Sequence, residues 1–220
     1  MTTHRRDFLN WLGATGAYAA IGAPMPPRVN VRPQPIDPEW DMSWTDRIKG
    51  KVRAVFDSPD VSEGAALLRA LSWRDTHKKV YGTPPSEASA VVVFRHEGIA
   101  LAMDDAYWAR FKIGKEVKLK DNGGKNWATA NPGTTSPSWL PPTIKNYDLH
   151  DFIASGGVVL ACNLAFGDIV ARYQKADKLS KDDARKAALA HLVPGVILQP
   201  SGIFAALCAQ DAGCHYIIAS

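Results

Sequence analysis

Residues 90–95 read Ala-Val-Val-Val-Phe-Arg and form a nearly continuous β-branched run in this 220-residue chain. Such a run is typical of a strand that is covered on both faces. A second run of the same kind lies at Val158–Ala161, and three shorter β-prone stretches accompany them. The predicted strands are Lys51–Phe56, Ala90–Arg95, Val158–Ala161, Val196–Gln199 and Tyr216–Ala219.

Helical patterns separate these strands. The first predicted helix spans Val61–Tyr81, and Asp60 with Glu63 three residues later has the spacing of a capping box. The alternation of strand and helix predicts a single α/β domain with a mostly parallel five-stranded sheet and helices on both faces. The other predicted helices are Ile99–Lys112, Asp148–Ser155, Leu164–Gln174, Lys181–His191 capped by Ser180, and a last one capped by Ser201 and ending near Ala212.

The N-terminal segment predicts export. Arg5 and Arg6 precede a short, glycine-diluted apolar stretch, and the small residues 17–19 follow, which is the pattern of a twin-arginine signal. The alternatives are an ordinary amphipathic helix and a signal that is retained as an anchor. We therefore divide the chain into a signal peptide (1–23), a proline-rich tether (24–46) and an α/β domain (47–220), and we expect a periplasmic protein with no other membrane segment.

The charge of the chain and the absence of several sequence motifs argue against some classes of function. The net charge of +4 is small, and no basic stripe with interleaved aromatic residues is present, so a nucleic-acid partner is not expected. The chain lacks a GxGxxG loop and a GxSxG elbow. It also lacks the HExxH and CxxC spacings of zinc sites, so no metal site is predicted. The three cysteines are Cys162, Cys208 and Cys214. If Cys208 and Cys214, which are close in sequence, form a disulfide, Cys162 is the cysteine that stays unpaired.

A long segment without periodicity spans residues 114–146. Loops of this length within a compact domain are usually functional or disordered, so we expect a lid or an arm that contacts another subunit. Lysines and tryptophans are interleaved in it and suggest a binding rim. These residues are Lys118, Lys120, Lys125, Trp127 and Trp139.

Chemically versatile side chains follow the predicted strands. In parallel α/β sheets the ligand site lies beyond the carboxyl ends of the strands. An acid, an imidazole, a thiol and a hydroxyl are therefore expected at one edge. The strand-end pairs are Asp57 and Ser58, His96 and Glu97, Cys162 and Asn163, and Pro200 and Ser201.

These segments resemble the DsrE/DsrF-like family of sulfur-relay proteins, over about residues 51–220. The resemblance is carried by Val91–Gly98, Val158–Asn163, Val193–Gly195, Gln199–Ile203 and Gln210–Ile217. It implies a five-stranded sheet with flavodoxin-like layering, assembly as a trimer or hexamer, and a relay thiol at the position of Cys162. The predicted export and the 114–146 insertion depart from the family pattern.

Cys162 is the candidate catalytic residue that this resemblance implies. A persulfide carrier needs an accessible thiolate, and the helix predicted after Cys162 places N–H groups that favour an anion there. His96 across the strand-end edge is suited to holding the proton. Small sulfur species or a sulfur-transfer protein are the expected partners, and a relay of this kind needs no cofactor. The competing interpretation is a buried, inert cysteine.

Two other classes of function stay open. His96 is also suited to binding haem or a metal, with His77, Met103 or Cys162 as the second ligand. The protein is in that case a periplasmic cofactor-binding protein. The third hypothesis is a non-catalytic interaction module whose thiol is incidental. The sequence does not decide whether the protein is an enzyme.

Overall fold

A computed structural model describes residues 40–135, 140 and 147–220, which belong to one compact unit spanning residues 35–220. The predicted signal peptide, residues 24–39 of the predicted tether, and Trp139 lie outside the described residues. Within the described part, no helix combines the length and the apolar character that crossing a membrane requires.

The sheet has five strands, all of them parallel, in the order β4-β3-β2-β1-β5. The predicted fold class is thereby confirmed. In the central register Val55 pairs with Val91, and Val91 pairs with Val158, so the β-branched runs lie side by side. The strands are β1 Val52–Ser58, β2 Ala88–Phe94, β3 Val158–Cys162, β4 Ile197–Gln199 and β5 His215–Ile218.

Seven α-helices and four short 3₁₀ helices surround the sheet in the described part of the chain. The α-helices are α1 Ala65–Tyr81, α2 Asp105–Phe111, α3 Ile113–Glu116, α4 Leu149–Ala154, α5 Asn163–Asp177, α6 Lys181–Leu189 and α7 Gly202–Asp211. The 3₁₀ helices are Ser43–Arg47, Ser62–Gly64, Pro85–Glu87 and His96–Ala102.

The two faces of the sheet are covered unequally. Alternation along each strand sends Phe56 and Val92 to one face, where all the α-helices except α7 contribute buried side chains to a large core. Val91 and Leu160 point to the other face, where α7 and the fully buried Trp44 complete a smaller core. Trp44 therefore anchors the segment that precedes β1 onto the domain.

The prediction of one continuous helix over Ile99–Lys112 is wrong, because the structure has two separate helices there. A 3₁₀ helix ends at Ala102, the backbone is extended at Asp104, and α2 begins at Asp105. The Asp104 side chain accepts a hydrogen bond from the Tyr107 amide at 2.8 Å, which is the geometry of an N-cap. The Asp104 carboxylate also contacts Nδ1 of His191 at 2.9 Å, so a tertiary contact holds the break in place.

The capping box predicted from Asp60 and Glu63 is also wrong. Glu63 adopts a left-handed conformation with φ of 55°, and α1 begins two residues later, with no side-chain hydrogen bond at its N-cap, Gly64. The Tyr147 hydroxyl donates to the Gly64 carbonyl at 2.7 Å, which fixes this turn from another part of the chain. Tertiary packing has replaced the local cap.

The described part of the 114–146 insertion is docked on the domain. Asn131 is fully buried, and its Nδ2 donates to the carbonyls of Leu101 and Met103 at 2.8 and 2.6 Å. Its backbone amide donates to Asp105 Oδ1 at 2.9 Å. A short antiparallel bridge joins Lys120 to Trp127. These contacts place the segment against the 3₁₀ helix that follows β2.

Alkaline pH is expected to destabilise this fold through Cys214. Burial raises the pKa of its thiol to about 11, from the ordinary 9.0 that applies to the unfolded chain. Because the unfolded chain releases this proton first, the free energy of unfolding falls as pH rises from about 9 to 11. Urea denaturation at a series of pH values measures this effect. The unfolding midpoint of Cys214→Ala should fall less over this range than that of the wild type, and equal slopes would contradict the assignment.

Candidate functional site

The parallel sheet carries the four predicted side chains at its carboxyl edge, because each follows the same end of its strand. Asp57 is the penultimate residue of β1, His96 follows β2, Cys162 ends β3, and Ser201 follows β4. Their environments differ sharply, however. Asp57 and Ser201 are engaged in structural hydrogen bonds, and Asp57 also lines a cavity of about 240 Å³. His96 lines a different cavity, and Cys162 ends its strand as a free thiol.

Cys162 joins the central part of the sheet to a helix. It is the last residue of β3 and the N-cap of the 15-residue helix α5, with extended backbone angles of −73° and 114°. Its thiol is free and 6% exposed. The first amides of a helix have no partners within that helix and carry partial positive charge. Cys162 thus precedes these amides in the chain, and its side chain makes no capping hydrogen bond with them.

Two buried oxygen atoms beside Cys162 have no hydrogen-bond donor among the described residues. One is Oδ1 of Asn163, the next residue in the chain. The other is Oε1 of Gln199, which pairs with Cys162 in the register of β3 and β4. Gln199 is fully buried, and its Nε2 donates to the carbonyl of Asp41 at 2.9 Å. Since unsatisfied buried acceptors are costly, these two oxygens mark a polar environment at the end of β3.

Asp57 belongs to a buried ion pair. It is 1% exposed, and Arg95 Nε and Nη2 donate to its two oxygens at 2.8 Å each. The Tyr216 hydroxyl donates to the same carboxylate. Hydrogen bonding to Asp57 raises the pKa of Arg95, and burial followed by this contact raises the pKa of Tyr216. Asp57 is therefore a structural anion, and the sequence indicated neither of its partners.

His96 lines a cavity on the face of the sheet opposite to the one on which Asp57 lies beside α7. It is exposed, has a left-handed backbone with φ of 52°, and lines a cavity of about 370 Å³. Non-glycine residues in this conformation are uncommon and cluster at functional positions. The cavity also contains Asp168 and the ion pair of Glu116 with Arg172, whose Nη1 donates at 2.6 Å. Cys162 is not among the residues lining this cavity.

The other predicted cofactor ligands lie elsewhere. His77 is twelve residues after Ala65 in α1, about 18 Å along a helix that runs away from the carboxyl edge. Its ring packs between Trp73 and Tyr81, with centroids 5.0 and 5.5 Å away. Met103 is fully buried in the core. Among the described residues no group of three or more His, Cys, Asp or Glu side chains is arranged to hold a metal ion.

Ser201 has the structural role of a helix cap. Its Oγ accepts a hydrogen bond from the Phe204 amide at 3.1 Å, which begins α7 as the sequence predicts. The N-cap predicted for Ser180 is likewise confirmed, since its Oγ accepts from the Asp183 amide at 3.1 Å. Of the four strand-end groups, the imidazole of His96 and the thiol of Cys162 are the ones left for chemistry.

Comparison with known proteins does not identify a family for this chain. No protein-family model and no curated protein matches the chain. One solved structure with some similarity is a protein of unknown function from Methanobacterium thermoautotrophicum. It is 16% identical, with a TM-score of 0.39, and the match covers 76% of this chain and 98% of that one. The resemblance to DsrE/DsrF-like proteins therefore stays a prediction.

Proposed function

We propose that this protein carries sulfane sulfur on Cys162 as an exported, DsrE-like thiol protein. The observation that carries the proposal is the position of Cys162, which ends a buried parallel strand and occupies the N-cap position of a long helix at the carboxyl edge. Ligand sites of open α/β sheets lie at this edge. The same position offers partial positive charge to a thiolate or persulfide anion.

The chemistry is a transfer of one sulfur atom without net oxidation. The Cys162 thiolate attacks the outer sulfur of a persulfide donor, R–S–SH. A new S–S bond forms at Cys162, the S–S bond of the donor breaks, and the donor leaves as the thiolate R–S⁻. The product is Cys162–S–SH, and the reverse attack by an acceptor thiolate unloads it.

Cys162 is a buried member of the larger core, as the competing interpretation of an inert cysteine expects, so the proposed loading requires its thiol to become accessible. At 6% exposure the loaded sulfur is shielded from bulk solvent, so a small persulfide or a docked partner protein is needed to reach it. The residue next to Cys162 in the chain, Asn163, and its register partner Gln199 each have a buried side-chain oxygen that no described residue uses as a hydrogen-bond acceptor. We propose the periplasm as the compartment, reached through the predicted signal peptide at residues 1–23.

The proposal also includes a homo-oligomer, a trimer or hexamer. Its support is an apolar surface at the β5 side of the domain, where α7 and β5 leave several large side chains in solvent. Exposed contiguous apolar surface is typical of interaction sites. The exposed residues are Ile203, Phe204, Leu207, Tyr216 and Ile218.

Mass spectrometry of the intact protein tests the sulfur chemistry. After incubation with a small persulfide, the wild type should gain one sulfur atom, about 32 Da, and Cys162→Ser should gain none. Cys208→Ser and Cys214→Ser are the matched controls and should both load like the wild type. Native spectra of the same samples report the number of subunits. A wild type that takes up no sulfur, or an adduct that persists in Cys162→Ser, would overturn the proposal.

A further inference from the structure

A second cavity, of about 500 Å³, lies beside the insertion and away from Cys162. Four lysines line it, together with Trp127 and Asn126, and none of its described lining residues is acidic. A cavity of this size accommodates a small molecule. The four lysines are Lys112, Lys115, Lys120 and Lys125.

Well-defined elements position these lysines. Lys112 connects α2 to α3 in a left-handed conformation with φ of 54°, and Lys115 lies within α3. Lys120 lies in the bridge with Trp127, and its Nζ is 3.6 Å from the centre of the Trp127 ring. Gly114 lets α3 approach the insertion closely, because a Cβ atom there would come within 2.2 Å of the Ala128 carbonyl oxygen.

The positive charge of this cavity is not neutralised by nearby carboxylates. Among the described residues, none of the four lysines forms a salt bridge. Glu116, the neighbour of Lys115, is paired with Arg172 on another side of α3. The Asp121 carboxylate accepts hydrogen bonds from the backbone amide of Lys125 and from Asn126 within its own turn. Four exposed lysines thus line one concave surface whose described lining has no acidic residue, which favours binding of an anion.

We propose that this cavity binds a small polyanion that carries two or more phosphate or sulfate groups. Several lysines that line one concave volume suit a ligand with several anionic oxygens, and each charge-assisted hydrogen bond to such an oxygen is strong. The concave shape favours a small ligand over a nucleic-acid backbone or a membrane surface, which need an extended basic face. Trp127 provides an apolar wall, and Lys120 held over its ring is pre-positioned for the ligand. This site is independent of the sulfur chemistry at Cys162.

Calorimetry with tripolyphosphate tests the site on the full chain. The wild type should bind it at low salt, and affinity should fall as salt is raised, as expected for an electrostatic site. Lys115→Gln with Lys125→Gln removes two charges without disturbing the left-handed Lys112 or the contact of Lys120 with Trp127. This double variant should bind at least about tenfold more weakly, because it removes two of the four cationic side chains available to the anion.

The matched control carries the same charge change elsewhere. Lys175→Gln with Lys181→Gln alters two exposed lysines outside the cavity and should leave the affinity within about twofold of the wild type. Thermal unfolding of each variant verifies the fold. The proposal is overturned if the wild type does not bind tripolyphosphate, or if both double variants weaken binding equally. It is also overturned if duplex DNA or anionic lipid vesicles bind and tripolyphosphate does not compete with them.

Discussion

Arg95→Met is expected to lower the free energy of unfolding by about 3–5 kcal/mol at pH 7. The substitution removes the guanidinium that forms paired hydrogen bonds with Asp57, whose side chain is 2% exposed. The carboxylate would then stay buried with the Tyr216 hydroxyl as its remaining side-chain donor. An uncompensated buried charge costs far more than the intact pair contributes, and methionine keeps the apolar length of the side chain.

Two further variants separate this effect from a loss of packing. Asp57→Asn leaves Arg95, whose side chain is 27% exposed and can be solvated, so its loss should be clearly smaller. Tyr216→Phe removes one hydrogen bond to a charged group and should cost about 1.5–3 kcal/mol. Urea denaturation measures all three. An Arg95→Met variant within about 1 kcal/mol of the wild type would show that Asp57 does not depend on Arg95.

Gly98→Ala should destabilise the carboxyl edge of the sheet by about 3 kcal/mol. A Cβ atom at this position would lie 2.2 Å from the backbone oxygen of Ser58 and 3.1 Å from that of Asp60. The Ser58 oxygen accepts a hydrogen bond from the Arg95 amide at 3.2 Å, so it cannot move without breaking a link between β1 and β2. The added Cβ atom avoids the Ser58 oxygen only if the 3₁₀ helix His96–Ala102 shifts, and His96 would move with this helix.

Gly167→Ala is the matched control, because the same added methyl group meets no atom within 4 Å. Gly167 lies inside α5, where alanine is favoured over glycine by about 1 kcal/mol. This variant should therefore be slightly more stable than the wild type. Thermal or urea unfolding of both variants compares them, and equal effects would contradict the close approach of Gly98 to β1.

Local pattern was enough to predict the sheet and most of its helices. The strands around Val92 and Val159 are buried on both faces, so their β-branched runs have no other good structure to adopt. The break at Asp104 was missed because it depends on His191, which is distant in sequence. The turn at Glu63 was missed for the same reason, since Tyr147 fixes it. Long-range contacts decided both of these local structures.

The candidate site was predictable to a similar extent. The position of Cys162 before a helix followed from the alternation of elements, and the structure places it there. The pairing of Asp57 with Arg95 was not predictable, because Arg95 reaches Asp57 only once the register of β1 and β2 is known. The basic rim of the insertion was expected from Lys118, Lys120, Lys125, Trp127 and Trp139. Lys120, Lys125 and Trp127 line the proposed cavity, Lys118 lines a different one, and Trp139 lies outside the described residues. Lys112 and Lys115 also line the proposed cavity. They lie at the start of α3 and within it, and the sequence did not indicate this helix.

The strand order has a consequence for how the domain folds. β1 lies between β2 and β5, so the earliest described strand takes its second neighbour from the latest one. Until β5 pairs, one edge of β1 has no partner strand, and the backbone oxygen of Asp57 lacks the Ala219 amide that donates to it. Tyr216, which donates to the Asp57 carboxylate, arrives on that same final strand. Pairing of β1 with β5 therefore closes the longest loop in the sheet, and contacts of such long sequence separation form slowly during folding.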